Sequence, residues 1–150
     1  MDIEWKCRAF DELTPSELYA ILKLRSEVFV VEQNCVFLDM DDKDQNAFHF
    51  CGWQNDALAA YVRLLPPGTA YQEMSIGRVV SSPALRKTGI GKKLMQQAIV
   101  QCCQLFGKGT IKIGAQLYLK NFYESFGFAQ TGDGYIEDGI PHIYMILICN

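Results

Sequence analysis

No run among the 150 residues is apolar for the length of a membrane span. The opening Met1-Asp2-Ile3-Glu4 is acidic with no apolar stretch behind it, so neither a membrane helix nor a signal peptide is expected. An excess of positive charge is also missing. The net charge is −3 and the pI near 5.3, which argues against nucleic-acid binding by a basic surface. Histidine is scarce, His49 and His142 alone, and none of the six cysteines (Cys7, Cys35, Cys51, Cys102, Cys103, Cys149) stands in a C-x-x-C pair, so no metal site is expected. The cysteines read instead as small buried apolar residues of a reduced, cytoplasmic protein. A calcium loop is excluded as well. Asp39, Asp41, Asp42 and Asp44 crowd one stretch, but counting from Asp39 the fifth position is Lys43, the sixth is Asp44 where glycine is needed, and the twelfth is Phe50. Glu32 to Asp44 is therefore expected to be a solvated acidic connector. With 49 % hydrophobic and 21 % charged residues, the chain 1–150 has the make-up of one ordinary domain with a full core.

What is present is concentrated between Ile76 and Gln97. Ile76 to Ser81 reads as an apolar strand, Pro83 marks a turn, and Arg86-Lys87-Thr88-Gly89-Ile90-Gly91-Lys92-Lys93 leads into a helix. A helix start offers unpaired N–H groups and a partial positive charge, which suit a phosphate. Gly89 and Gly91 remove Cβ atoms where a ligand would come close. A dinucleotide loop needs a third glycine, yet position 94 is Leu94. A nucleoside-triphosphate loop must end Gly-Lys-Ser/Thr, yet Gly91-Lys92-Lys93 lacks the hydroxyl. Two classes remain, a plain strand–loop–helix joint and a diphosphate loop of the acyl-CoA type.

Around this stretch helices and strands alternate, which gives an α/β or α+β domain with one mixed sheet. Trp5 to Phe10 is a first strand. Thr14-Pro15-Ser16-Glu17 carries a capping box and a proline suited to the first helical position. Leu18, Ile21, Leu22, Arg25, Val28 and Phe29 then recur at helical spacing. Arg25 interrupts that stripe, either as a packed stem whose head meets a carboxylate or as a group in a ligand cleft. His49–Gly52 and Ala57–Leu65 are strands joined at Gln54-Asn55-Asp56, with Arg63 breaking the second, and Met74–Ser81 is the next. Ile90, Leu94, Met95, Ala98, Ile99 and Cys102 share one face of a helix that Gly107 and Gly109 end. Thr110–Gln116 is a strand, and Leu119 to Phe126 a short helix closed by Gly127. Phe128–Thr131 and Ile143–Ile148 close the sheet, with Gly132-Asp133-Gly134 and Glu137 to Pro141 as turns.

Three segments in this order resemble the GNAT superfamily of acyl-CoA-dependent N-acyltransferases: Val79-Val80-Ser81-x-Pro83-x-x-Arg86-x-x-Gly89-x-Gly91, the amphipathic helix, and Phe122-Tyr123-Glu124-x-x-Gly127-Phe128. Together they cover about residues 74–128. The flanks Leu22 to Gln33, Tyr61 to Gly68 and Tyr135 to Ile143 are similar to its ElaA-type branch. The resemblance implies a single mixed, mostly antiparallel sheet with a V-shaped splay and about four flanking helices. It implies acetyl-CoA as co-substrate, its pantetheine arm paired with the backbone of Val79, Val80 and Ser81. The diphosphate would be held by Arg86, Lys87, Thr88, Gly89, Ile90, Gly91 and Lys92. Gln116 stands where many members carry Asn.

An amine attacks an activated thioester directly once it has lost a proton, so few catalytic groups are required. The resemblance implies Tyr123 as the acid for the CoA thiolate, and an N–H near Val80 as oxyanion donor. The base is left between Glu73, near the strand position Ser75 that is glutamate in some relatives, and His142, histidine being the residue type that changes charge near neutrality. Arg25, Glu32, Arg63, Arg78, Glu137 and Asp138 are candidates for the acceptor cleft, the last two pointing to a cationic amine. The expected partner is a small-molecule or peptide amine, with neither nucleic acid nor membrane, and a homodimer left open. Two other classes stay in view: an acyl-CoA-binding module without catalysis, and a cysteine hydrolase using Cys35 or Cys51 with His49.

Overall fold

The computed structural model describes residues 2–150. β1 (Glu4–Ala9) precedes α1 (Pro15–Arg25), which starts as its sequence requires. Thr14 Oγ1 accepts from the Glu17 N–H at 3.1 Å, and Glu17 Oε1 accepts from the Thr14 N–H at 2.8 Å. The helix does not stop at Arg25. It runs on as a seven-residue π-helical stretch, Ser26–Glu32, a widened turn of the kind that collects at functional sites. The long connector then leads to β2 (Phe48–Gln54), β3 (Ala57–Leu65) and β4 (Ser75–Ser81), after which come α2 (Ile90–Phe106), β5 (Gly109–Gln116), α3 (Lys120–Glu124), β6 (Ala129–Glu137) and β7 (Ile140–Cys149). Three α-helices, the first so prolonged, therefore flank the strands of the described residues.

The strands form an antiparallel sheet in the order β1-β2-β3-β4 and a second in the order β5-β7-β6. The sheets touch at the start of β4 and β5, through a parallel bridge between Met74 and Ile111 and an N–H of Lys112 donating to Met74 O at 2.9 Å. Beyond that point β4 and β5 diverge, which is the expected V. One core spans both sheets, with Ile90, Leu94, Met95, Ala98 and Cys102 of α2 buried against it; each large apolar side chain so buried contributes about 1.5–3 kcal/mol. Ile21, Leu24 and Val28 pack on the other side, against Tyr61 and Val80.

Three expectations need correction. The aspartate-rich connector is not a solvated loop: Asp39 and Asp44 are buried, and Asp41 is half-buried, because arginines from three elements reach it. Gly132-Asp133-Gly134 is not a turn but a bulge within β6, where the pairing with β7 shifts between Thr131 and Tyr135. The reversal is at Asp138-Gly139, both with positive φ (51° and 77°), as a tight hairpin demands. Not every cysteine is a free thiol either. Cys103, at the end of α2, is disulfide-bonded to Cys149 at the end of β7, with Cα atoms 5.8 Å apart. No helix among the described residues is long and apolar enough to cross a membrane.

Candidate active site

The opening between β4 and β5 is a cavity of about 910 Å³. Its first wall is the free edge of β4, formed by Val79, Val80 and Ser81. On its other side β4 pairs with β3, but the register slips: Tyr61 faces Val80 while Arg63 faces Gly77. The extra residue is Arg78, with φ at 51°. A non-glycine residue there costs about 1–3 kcal/mol and persists only where its surroundings hold it. They do: Arg78 donates to Asp39 O at 2.9 Å, and its Nε lies 2.8 Å from Asp39 Oδ1. That second contact is off line and therefore an ion contact rather than a hydrogen bond.

The mouth of the cavity carries the glycine-punctuated loop. Arg86 lines the cavity, and Lys87, Thr88 and Gly89 follow as an exposed turn. Gly89 has φ at 84° and stands as the N-cap of α2 with no side chain over it, so the first N–H groups, of Ile90, Gly91 and Lys92, have no helical partner. A Cβ built on Gly89 or Gly91 would meet no protein atom within 4 Å. This open cradle of N–H donors, beside Lys87 and Lys92, fits a diphosphate.

The second wall comes from β5, α3 and β7. Gln116 and His142 are directly opposed in the β5–β7 ladder, and both line the cavity. The Gln116 amide donates across the gap to Gln33 Oε1 at 3.3 Å. His142 Nδ1 lies 2.7 Å from the carbonyl of Ile140. A carbonyl only accepts, so Nδ1 carries the proton in the neutral ring and Nε2 is left as an acceptor. Glu137 Oε2 stands 3.6 Å from that Nε2, and the imidazole stacks on Tyr135 at 5.4 Å between centroids. Tyr123 lies 7 % exposed between Phe122 and Phe128 and lines the same cavity. Burial holds its phenol well above the ordinary range, so it stays a proton donor at neutral pH.

Several candidates fall elsewhere. Arg25 is fully buried, its guanidinium donating to Asp39 and Asp44, each at 2.8 Å. Arg63 donates to Asp41 and Asp44. Both are therefore internal partners of the connector rather than acceptor ligands, and of the arginines proposed for the cleft only Arg78 lines it. Glu32, Glu137 and Asp138 do line it. Glu73 does not. It precedes β4 at the end where the sheets touch and lines a separate cavity with Lys108 and Phe106; Ser75 is buried nearby. From Glu73 to Val79 the chain covers on the order of 20 Å. The hydrolase constellation is absent too. His49 Nε2 donates to Asp44 O at 2.9 Å and Nδ1 accepts from the Tyr61 hydroxyl at 2.6 Å, so neither nitrogen is left for a thiol. Burial pushes the Cys51 thiol up to about 12, and Cys35 donates to Asp138 O at 3.6 Å. Cys35, Phe37 and Asp41 also line the cavity; an irregular connector has no period from which their direction could be read. Among the described residues no three His, Cys, Asp or Glu side chains converge as a metal site.

A splayed β4–β5 pair with an uncapped, glycine-started helix at its mouth is the architecture expected of an N-acyltransferase fold, and comparison with known proteins agrees. The acetyltransferase (GNAT) domain matches residues 16–149, and the chain belongs to that family. Protein ElaA of Escherichia coli K12 is 45 % identical over 145 residues, 95 % of each chain. The crystal structure of an acyl-CoA N-acyltransferase from Pseudomonas aeruginosa superposes with a TM-score of 0.92 at 40 % identity, covering 97 % of this chain and 99 % of that one. An acetyltransferase from Bacillus subtilis, solved in complex with CoA, shares the fold at TM-score 0.70 and 22 % identity, over 99 % of this chain and 100 % of that one.

Proposed function

We propose that the protein transfers an acetyl group from acetyl-CoA to a primary amine in a ternary complex. The observation that carries this is one cavity lined by the free edge of β4, a buried phenol and an imidazole with an unprotonated nitrogen, opening onto a diphosphate cradle. The free strand edge supplies main-chain partners for the amides of a pantetheine arm. That a Bacillus subtilis acetyltransferase of the same fold is solved in complex with CoA supports CoA as the co-substrate.

In the reaction, the acceptor first gives its ammonium proton to water; the neutral amine nitrogen then attacks the thioester carbonyl carbon, forming the C–N bond, and its surplus N–H proton passes to His142 Nε2. The C–S bond breaks, and the departing thiolate takes the Tyr123 hydroxyl proton. Proton return from the imidazolium to the phenolate closes the cycle, so the net products are an acetylated amine and a free thiol. The exposed carboxylates of Glu137 and Asp138 favour a cationic acceptor. The test is release of free thiol from acetyl-CoA against polyamines, amino acids, aminoglycosides and peptide amines. Release with at least one of them is expected. Tight CoA binding with no release from any would leave a binding module without catalysis, and no CoA binding at all would end the proposal.

A further inference from the structure

Arg86 and Glu32 face each other across the mouth of the cavity, and the Arg86 guanidinium donates to Glu32 Oε1. Glu32 is the last residue of the π-helical stretch that prolongs α1, and Arg86 is the last residue before the diphosphate cradle. Fifty-four residues separate them in the chain. The contact is one of three by which residues 32–35 cross the gap. Gln33 accepts from Gln116 at the end of β5, and Cys35 donates to the Asp138 carbonyl in the β6–β7 turn. The stretch is thus tied to the loop before α2, to the end of β5 and to the β6–β7 turn.

The charges give that first tie a consequence. The other arginine lining the cavity, Arg78, is already committed to Asp39 and Asp41. Arg86 has Glu32 as its sole ion-pair partner among the described residues, while Lys87, Lys92 and Lys93 have none. An arginine beside the open N–H groups of α2 is the group a diphosphate would seek, because its planar fork pairs with phosphate oxygens as readily as with a carboxylate. The two anions cannot both have it in the same geometry. The pair is open to water on both sides, 46 % and 41 % exposed at the side chains, and an exposed pair is weak enough to be displaced.

We propose that Glu32 is a positioning residue that competes with the diphosphate of CoA for Arg86, holding the guanidinium at the mouth until CoA takes it over. The proposal rests on the acyl-CoA reading of the cleft. It requires that removing the acidic side chain of Glu32 tighten CoA binding, and that the gain vanish when Arg86 is absent. A field effect of Glu32 on the phosphates would not depend on Arg86, and a merely structural contact would loosen CoA when cut.

The test is calorimetric titration of CoA into the wild type, Glu32→Gln, Arg86→Ala and the double variant, a thermodynamic cycle that isolates the pair. Glu32→Gln is expected to lower the Kd about two- to fivefold, the usual worth of an exposed pair. In the Arg86→Ala background it is expected to change nothing. Equal or weaker binding by Glu32→Gln overturns the proposal, and so does an equal gain in both backgrounds. If the wild type itself binds no CoA, the acyl-CoA reading fails first, an outcome distinct from either.

Discussion

Arg25 Nη1 donates to Asp44 Oδ1 at 2.8 Å, nineteen residues along the chain, with both side chains all but sealed from water. The same oxygen accepts from Arg63 Nη1 at 2.9 Å. Three arginines and three aspartates thus form one charge-balanced network that pins the connector against the cleft and holds Arg78 in its strained bulge. Breaking a buried pair leaves a charge uncompensated, at a cost of about 3–5 kcal/mol. Asp44→Asn should therefore destabilise the protein by roughly that amount in urea titration. Burial alone would raise the Asp44 carboxyl, but the bonds from Arg25 and Arg63 outweigh it and hold it below its ordinary value of 3.8. Such a group contributes stability above its unfolded pKa and loses it as pH falls through the folded one. Unfolding free energy should hold above about pH 5 and fall below about pH 4, with a shallower fall in Asp44→Asn. An identical acid slope in the two proteins would remove Asp44 as a contributor.

Tyr123→Phe keeps the ring between Phe122 and Phe128 and removes only the hydroxyl. General acid assistance is worth about 10²–10⁴-fold in rate. Turnover should fall by at least the lower figure while the Kd for CoA stays within about twofold, since a donor needed only by the departing thiolate contributes little to binding. Unchanged turnover would take Tyr123 out of the chemistry.

Local signals carried much of the fold into the sequence. Thr14 and Glu17 sit three apart and cap one helix; Gly89 sits where only a left-handed residue starts α2 without strain; Asp138-Gly139 is a two-residue hairpin turn. Each is decided by neighbours within a few positions. What stayed illegible depends on partners brought together by the fold. Asp39 reads as solvent-facing until Arg78, thirty-nine residues on, reaches it, and Cys103 reads as free until Cys149, forty-six residues on, meets it. Arg25 and Arg63 show the same limit from the other side. A cation in an apolar pattern marks an internal partner or a ligand with equal force, and only the three-dimensional course of the connector decides.

The two candidates for the base, His142 and Glu73, line separate cavities. His142→Gln keeps a polar side chain facing the cleft but has no basic nitrogen, so kcat should drop about 10²-fold or more. Glu73→Gln, in its separate cavity, should leave kcat and both KM values as they are. Measured with whichever amine the thiol-release screen yields, the reverse ranking would exclude His142 as the base and demand a rearranged cleft.

Gly114 links the aromatic layer behind the cleft to His142. It lines the cavity on β5, opposite Tyr144, and a Cβ built there would overlap the Tyr135 hydroxyl and lie 3.1 Å from that of Tyr71. Both obstacles are ends of rigid rings, and Tyr135 is stacked on Tyr144 at 4.5 Å and on His142. Making room for one methyl group therefore means moving the ring on which the imidazole rests. Overpacking of this kind costs about 1–3 kcal/mol, so Gly114→Ala should lower Tm by about 2–10 °C in a domain of this size. Because the displaced ring is stacked on His142, kcat should fall more than the affinity for CoA. Tyr135→Phe removes the obstructing oxygen while keeping the stack. In the double variant Gly114→Ala/Tyr135→Phe both Tm and kcat should recover toward those of Tyr135→Phe alone; a double variant as impaired as Gly114→Ala would show that the glycine is needed for its backbone and not for the space it leaves.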